Sequence, residues 1–213
     1  MPLGHPDFGE VFVCECRSPA LSRKLQEISG LSERERQRRL SDLETEGRPG
    51  TQRMVEACRA FCESPMGLVL LWGGPGNGKT MALQAVTNEL TQRGVEAIYI
   101  TTFDLLGNVQ EAYDASRDDP RESAPQRLRR FETAKVLALD EFDKAYESKW
   151  AVRQLTHLIE KRHRLGEDGT VGTLIAMNAD PAHQLDWIES RLMDGRNRVV
   201  HNEDSDIRPA LTR

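Results

Sequence analysis

Eight consecutive residues, Gly73-Gly74-Pro75-Gly76-Asn77-Gly78-Lys79-Thr80, combine the residue types needed to hold a polyphosphate. Glycines let successive backbone N–H groups turn inward around phosphate oxygens, and a helix opening at Lys79 adds its positive N-terminus. In that arrangement Lys79 reaches the β and γ phosphates and the Thr80 hydroxyl coordinates magnesium. The spacing Gly73-x-x-x-x-Gly78-Lys79-Thr80 is the Walker A pattern. With Gly and Lys at ordinary abundance, an accidental match in a chain of this length occurs at about a percent or less. The apolar run from Gly67 to Trp72 before it reads as a buried strand and the spacing after it as a helix, which is the context the pattern requires.

A phosphate cradle leaves the reaction open, and the next informative stretch is Val136-Leu137-Ala138-Leu139-Asp140-Glu141. Four apolar residues form a strand that delivers Asp140 to a sheet edge, where its carboxylate can hold the hydration shell of magnesium. Glu141, one residue on, can polarise an attacking water. The pair suits hydrolysis, whereas a small-molecule kinase needs instead a pocket and lid for its acceptor. Asp143 and Glu147 follow, so the plainer reading of Glu141 is the start of a solvated acidic loop. A third apolar run, Thr173 to Met177, ends in Asn178, whose amide can orient the lytic water or touch the γ-phosphate. Asn178-Ala179-Asp180-Pro181 suits a turn equally well. Arg191, in Ser190-Arg191-Leu192-Met193-Asp194-Gly195-Arg196, can aim a guanidinium across a subunit boundary. On spacing alone it reads rather as complementing a helix macrodipole.

Positioning these groups takes alternating strands and helices, and the pattern from Met54 onward supplies them. Strands are predicted at 67–72, 96–101, 135–139, 173–177 and 198–201, and helices at 55–63, 79–92, 103–115, 148–164 and 184–193, with a charged, proline-containing loop at 117–127. Such a series gives a mainly parallel sheet with helices on both faces and ligands at the carboxyl ends of the strands. Residues 1–53 read differently, as an extension with Pro and Gly breaks and two short amphipathic helices around Leu21–Ile28 and Leu40–Leu43. We therefore expect an N-terminal extension over 1–53, loosely attached, and a catalytic domain over 54–213.

The chain of 213 residues (24.1 kDa) has room for one such domain and its appendage. A formal charge of -5 argues against nucleic-acid binding by bulk attraction, so any DNA site must be local. No apolar run approaches the roughly 20 residues that cross a bilayer, and the N-terminus lacks a signal-peptide pattern. The expectation is a cytoplasmic protein with no membrane contact.

Taken in order, GGPGNGKT, VLALDE, LIAMN and ESRLMDGR resemble the AAA+ ATPases, and within them the DnaC-like helicase loaders and their IstB-type relatives. The resemblance covers residues 54–201, and HPDFG with CEC near the N-terminus is similar to the leader of some loaders. It implies a three-layer αβα P-loop NTPase with a five-stranded parallel sheet, in which the strand ending in Asn178 lies between the strands preceding Lys79 and Asp140. Only a dozen residues follow the last predicted strand, so a reduced or absent C-terminal lid is expected and no sensor 2 arginine is assigned. The implied activity is hydrolysis of ATP with Mg2+, stimulated by partners, in a protein that forms a homo-oligomer when ATP-bound. The implied role is to load a hexameric replicative DNA helicase onto single-stranded DNA during DNA replication. Lys79, Thr80 and Asp140 then bind nucleotide and metal, Glu141 and Asn178 act in catalysis, and Arg191 is an arginine finger supplied in trans, with Arg196 as its competitor. The alternatives are an IstB-like transposition helper and, less well supported, a small-molecule P-loop kinase.

Other features carry weaker signals. His5, Cys14 and Cys16 offer three ligands where a structural zinc wants four, so zinc is not expected. Cys58 and Cys62 stand one helical turn apart beside Val55 and Phe61 and read as buried thiols. Basic runs at 34–39, 127–130 and 161–164 read first as solvated faces. In a loader the second and third become candidates for contacting single-stranded DNA through its backbone.

Overall fold

Near-continuous apolar strands belong to parallel sheets covered on both faces, and the chain builds its sheet from such runs. The computed structural model describes residues 18–115, 124–144, 148–184 and 189–207. Its strands β1 (Gly67–Trp72), β2 (Ala97–Thr101), β3 (Val136–Asp140), β4 (Gly172–Met177) and β5 (Arg198–His201) pair in the order β2-β3-β4-β1-β5, all parallel. The register sets Trp72 against Met177 and Thr101 against Asp140, so the residues that follow the strands emerge along one edge. β4 lies between β1 and β3, as the resemblance implied.

The helices are α1 (Ser18–Ile28), α2 (Pro49–Glu63), α3 (Lys79–Gln92), α4 (Thr102–Ala115), α5 (Ala124–Thr133), α6 (Lys149–Glu167), α7 (Pro181–Gln184) and α8 (Glu189–Leu192). Alternation along each strand divides the core between them. Val69, Leu71, Ala138 and Leu174 pack with Met54, Phe61, Leu83 and Val86 of α2 and α3 on one face. Leu68, Leu70, Leu137 and Ile175 pack with Leu105, Phe131, Leu155 and Leu158 of α4, α5 and α6 on the other. At the carboxyl end of β1 the Trp72 ring stacks on His201 of β5, centroids 3.5 Å apart. Among the described residues no helix is long and apolar enough to cross a membrane.

Residues 20–53 differ from the loosely attached appendage expected of them. Leu25, Leu31, Leu40 and Leu43 are buried, and the last three join the same cluster as Leu83 and Leu71. The cause is the open edge of β2, a row of backbone groups in need of partners. Tyr99 N–H donates to the Ser29 carbonyl at 2.7 Å. Gly30 takes φ +79, and a Cβ there would stand 2.2 Å from the Tyr99 carbonyl oxygen. The pair Leu40 and Leu43 sits on a single 3-10 turn over Leu40–Asp42, where a helix had been predicted. α2 begins at Pro49, ahead of the predicted start, because Asp204 accepts hydrogen bonds from the N–H groups of Gly50 (3.2 Å) and Thr51 (2.6 Å).

α5 was not anticipated, since its first residues fall in the predicted loop. Arg162 of α6, only 1% exposed, holds its end. That guanidinium donates to the carbonyls of Phe131 (2.7 Å), Glu132 (3.1 Å), Ala134 (3.0 Å) and Gly172 (2.5 Å) and to Thr173 Oγ1 (2.9 Å). Lys161 pairs with Glu132 at 2.6 Å. Within the basic run at 161–164, Arg162 is therefore internal and Lys161 is tied to Glu132, while Arg164 is exposed. The predicted helix 184–193 is seen as α7 and α8, residues 185–188 lying outside the described residues, as do 116–123 and the zinc candidates His5, Cys14 and Cys16.

Candidate nucleotide site

The turn from β1 into α3 is possible only with glycine at several points. Gly73, Gly76 and Gly78 take φ of +135, +73 and +91, a region that other residues enter at a cost. Gly73 also lies under the backbone of the segment after β5, where a Cβ would stand 2.0 Å from the Asn202 carbonyl oxygen. Lys79 opens α3 from this turn, buried to 6% exposure. Its ammonium donates to the carbonyls of Gly73 and Gly74, both at 2.7 Å, and to Asn77 Oδ1 at 2.9 Å. Burial pulls its pKa from 10.5 down to about 8, with Asp140 and Asp143 opposing the shift.

β3 delivers Asp140 opposite this lysine. The Asp140 carboxylate accepts from the Tyr99 hydroxyl at 2.9 Å and from the Glu141 N–H at 2.8 Å, and lines the same cavity as Thr80. Burial raises its pKa above the usual carboxylate range, and those hydrogen bonds pull the other way. Glu141 follows at φ +52, alone among the described non-glycine residues in having a positive φ. Such backbone strain concentrates at functional sites. Its carboxylate forms an ion pair with Lys144. At the end of β4, the N–H groups of Asn178 and Ala179 donate to Asp143 Oδ2 at 3.1 and 3.0 Å, which fixes the turn carrying Asn178.

Lys79, Thr80, Asp140, Glu141 and Asn178 line one cavity of about 600 Å³, with Pro75, Gly76, Asn77 and Gly78 along its floor. Gly73 and Gly74 serve it through their carbonyls. Asn77 is buried behind it, donating to the Asn202 carbonyl at 2.8 Å. The Thr80 hydroxyl and the Asp140 carboxylate are hard oxygen donors lining one cavity, the chemistry that suits magnesium on a polyphosphate. The residues present therefore fit a nucleotide with its metal.

The family model for AAA, the ATPase family associated with various cellular activities, matches residues 69–198. The chain belongs to this AAA family. Solved structures agree in fold. The DnaC helicase loader superposes with a TM-score of 0.65 at 17% identity, over 81% of this chain and 100% of that one. DnaI gives 0.61 at 20% identity, over 84% and 94%. Replication initiator DnaA bound to AMPPCP and single-stranded DNA gives 0.66 at 19%, over 79% of this chain and 50% of that chain. The chain thus spans about half the length of that initiator structure. No curated protein matches it significantly in sequence.

Within this AAA fold Arg191, at the end of α8, is exposed and stands outside the nucleotide cavity. Arg196 is bound to Asp194 at 2.6 Å and paired with Glu167. The competing arginine is thus already engaged within its own chain. Sequence reasoning missed Tyr99, Asp143 and Asn202, and the contribution of Glu35, Arg38 and Gln84 to the cavity wall. Asp143 carried a signal, a third carboxylate within four residues, but it read as loop. Tyr99 and Asn202 carried none, because their importance comes from β2 and the segment after β5 lying beside β3 and the glycine turn.

Proposed function

We infer that this AAA protein hydrolyses ATP with Mg2+ to load a hexameric replicative helicase onto single-stranded DNA, assembling with copies of itself when ATP is bound. The observation that carries this reading is the single cavity shared by Lys79, Thr80, Asp140, Glu141 and Asn178. On ATP binding, the Lys79 ammonium exchanges the Gly73 and Gly74 carbonyls for the β and γ phosphates, and the N–H groups of the glycine turn face the remaining oxygens. Thr80 and Asp140 would hold the magnesium, which neutralises phosphate charge when bound. Glu141, released from Lys144, takes a proton from the attacking water, and the Asn178 amide orients that water or the γ-phosphate. Arg191 reaches the nucleotide of a neighbouring subunit, which its exposure outside the cis cavity supports.

The likeness in fold to DnaC, DnaI and DnaA supports a place in replication, and the helicase contact is assigned to the N-terminal extension over 1–53. Among the described residues of that extension, Leu21 of α1 is the exposed large apolar side chain. For single-stranded DNA, Phe103 in the first turn of α4 is 78% exposed and can stack on a base. α4 packs on α5, whose Arg129 and Arg130 face solvent and can meet phosphates.

The decisive experiment is phosphate release by wild type and Glu141→Gln, each with and without the replicative helicase and single-stranded DNA. Glu141→Gln is expected to keep ATP binding and lose about 100-fold or more in rate. Wild type is expected to be stimulated by both partners together. A wild-type rate indifferent to helicase and DNA would defeat the loader reading, and phosphate transferred to an acceptor other than water would defeat hydrolysis itself.

A further inference from the structure

We propose that Asn197 is a positioning residue for Arg191, holding through the backbone of α8 the guanidinium that reaches a neighbouring subunit's nucleotide. This deepens the hydrolysis reading above and rests on it. Arg191 is exposed, and among the described residues no side chain hydrogen-bonds or pairs with its guanidinium. The place from which that charge reaches out is therefore set by the backbone beneath it.

α8 is a single turn of four residues, too short to be stable by itself. The Met193 N–H closes it on the Glu189 carbonyl at 2.8 Å, and its last carbonyls have no partner within the helix. Asn197 supplies one. Its amide Nδ2 carries two hydrogens and donates to the Arg191 carbonyl at 2.5 Å and to the Leu192 carbonyl at 3.4 Å. Asn197 is itself fixed, its own N–H donating to the Asp194 carbonyl at 2.8 Å. Leu192, fully buried in the same cluster as Leu155 and Leu158 of α6, pins the other side of the turn. Consecutive side chains of a helix stand about 100° apart, so with Leu192 turned to the core Arg191 is turned outward.

The same turn carries a second set of contacts, which does not reach Arg191. Asp194 accepts from the Arg196 N–H, Nε and Nη2 at 3.0, 2.9 and 2.6 Å, and Arg196 also pairs with Glu167. The Arg196 side chain is 66% exposed, and ion pairs in water contribute little. Asn197 alone of these two residues touches the carbonyl of the arginine-bearing residue. Without its amide the turn under Arg191 loosens, and a misplacement of about 1 Å at a reacting centre is enough to cost two orders of magnitude in rate. The nucleotide cavity of the same chain, which Asn197 does not line, stays intact.

The test is phosphate release by the full chain over a range of ATP concentrations, with and without the replicative helicase and single-stranded DNA, for wild type, Asn197→Ala, Asn197→Asp, Arg196→Ala and Arg191→Ala. Asn197→Ala and Asn197→Asp remove the donor with and without a change of volume. Both are expected to lower kcat about tenfold to fiftyfold, the scale of two hydrogen bonds, with KM for ATP within about twofold of wild type. Arg196→Ala should stay near wild type. Mixing equal amounts of Asn197→Ala and Glu141→Gln chains should bring the rate back to about a quarter of wild type, because an intact Asn197 serves the neighbour's site. A residue needed only for the fold of its own chain gives no such recovery. Thermal melts without nucleotide control for folding, and where Asn197→Ala fails to fold, Asn197→Asp carries the same comparison; failure of both to fold would make Asn197 a residue of the fold and overturn the proposal. A wild-type kcat in the two Asn197 variants beside a reduced one in Arg191→Ala would also overturn it, as would a loss that mixing does not recover. An unchanged kcat in Arg191→Ala would overturn the reading of Arg191 as the finger, and the proposal with it.

Discussion

Individual side chains in this protein owe their chemistry to burial as much as to their type. Cys58 and Cys62 are buried on α2, and desolvation raises both thiols from 9.0 to about 12. A thiol whose folded pKa lies above its unfolded value contributes stability below the unfolded pKa and loses it as pH rises toward the folded one. The window here runs from about pH 9 to 12. Urea denaturation at pH 8 and pH 10 should therefore show wild type losing about 1 kcal/mol per thiol relative to the Cys58→Ala, Cys62→Ala double variant. Both thiols should resist alkylation until the chain unfolds, as expected of inert core cysteines. Arg162 makes the complementary case. It is a charge in the interior stabilised by four carbonyls and a hydroxyl. Arg162→Ala would strand those acceptors and should cost about 3 kcal/mol or more in denaturant unfolding.

At the scale of elements, the informative case is the segment between α1 and α2. Its sequence has helical apolar spacing and many charges, which describes an amphipathic appendage as well as it describes a wall of the core. What decides is the vacant edge of β2 and the flank of α3, against which Leu31, Leu40 and Leu43 pack. Gly30 is the point of closest approach, so Gly30→Ala should undock the segment, at a cost of about 1–3 kcal/mol. Limited trypsin digestion is the measurement, with cleavage among Arg34, Arg36, Arg38 and Arg39 accelerated in Gly30→Ala. Gly47→Ala is the control. Gly47 has a similar φ of +66 but open space around a Cβ, so its digestion pattern at those arginines should match wild type.

For the whole molecule, the proposed reading makes the catalytic unit larger than one chain. Arg191 lies outside the cavity that holds Lys79 and Glu141, so a chain with Arg191→Ala should bind ATP normally and lose about 10³–10⁵ in stimulated hydrolysis. Mixing it with Glu141→Gln chains should restore activity, because on random assembly about a quarter of the interfaces pair an intact Glu141 with an intact Arg191. No recovery on mixing would place the finger elsewhere or make it act in cis. Arg196→Ala by itself should keep stimulated hydrolysis near the wild-type rate, because Arg196 is tied to Asp194 and Glu167 of its own chain.

The sequence by itself determined the phosphate cradle, the strands that deliver Asp140 and Asn178, and the three-layer αβα class. Each rests on local rules: glycine where φ must be positive, a lysine and a hydroxyl at fixed offsets, apolar runs that need cover on both faces. Only the tertiary structure decided what stands behind those groups. Tyr99, Asp143 and Asn202 hold Asp140, Asn178 and Asn77 through partners 41, 35 and 125 residues apart in sequence. No local pattern encodes such a contact, because it exists only once β2, β3, β4 and the segment after β5 have been brought to one edge of the sheet. Burial acted in the same way on Arg162 and on residues 20–53, turning charges and spacings that read as surface into parts of the interior.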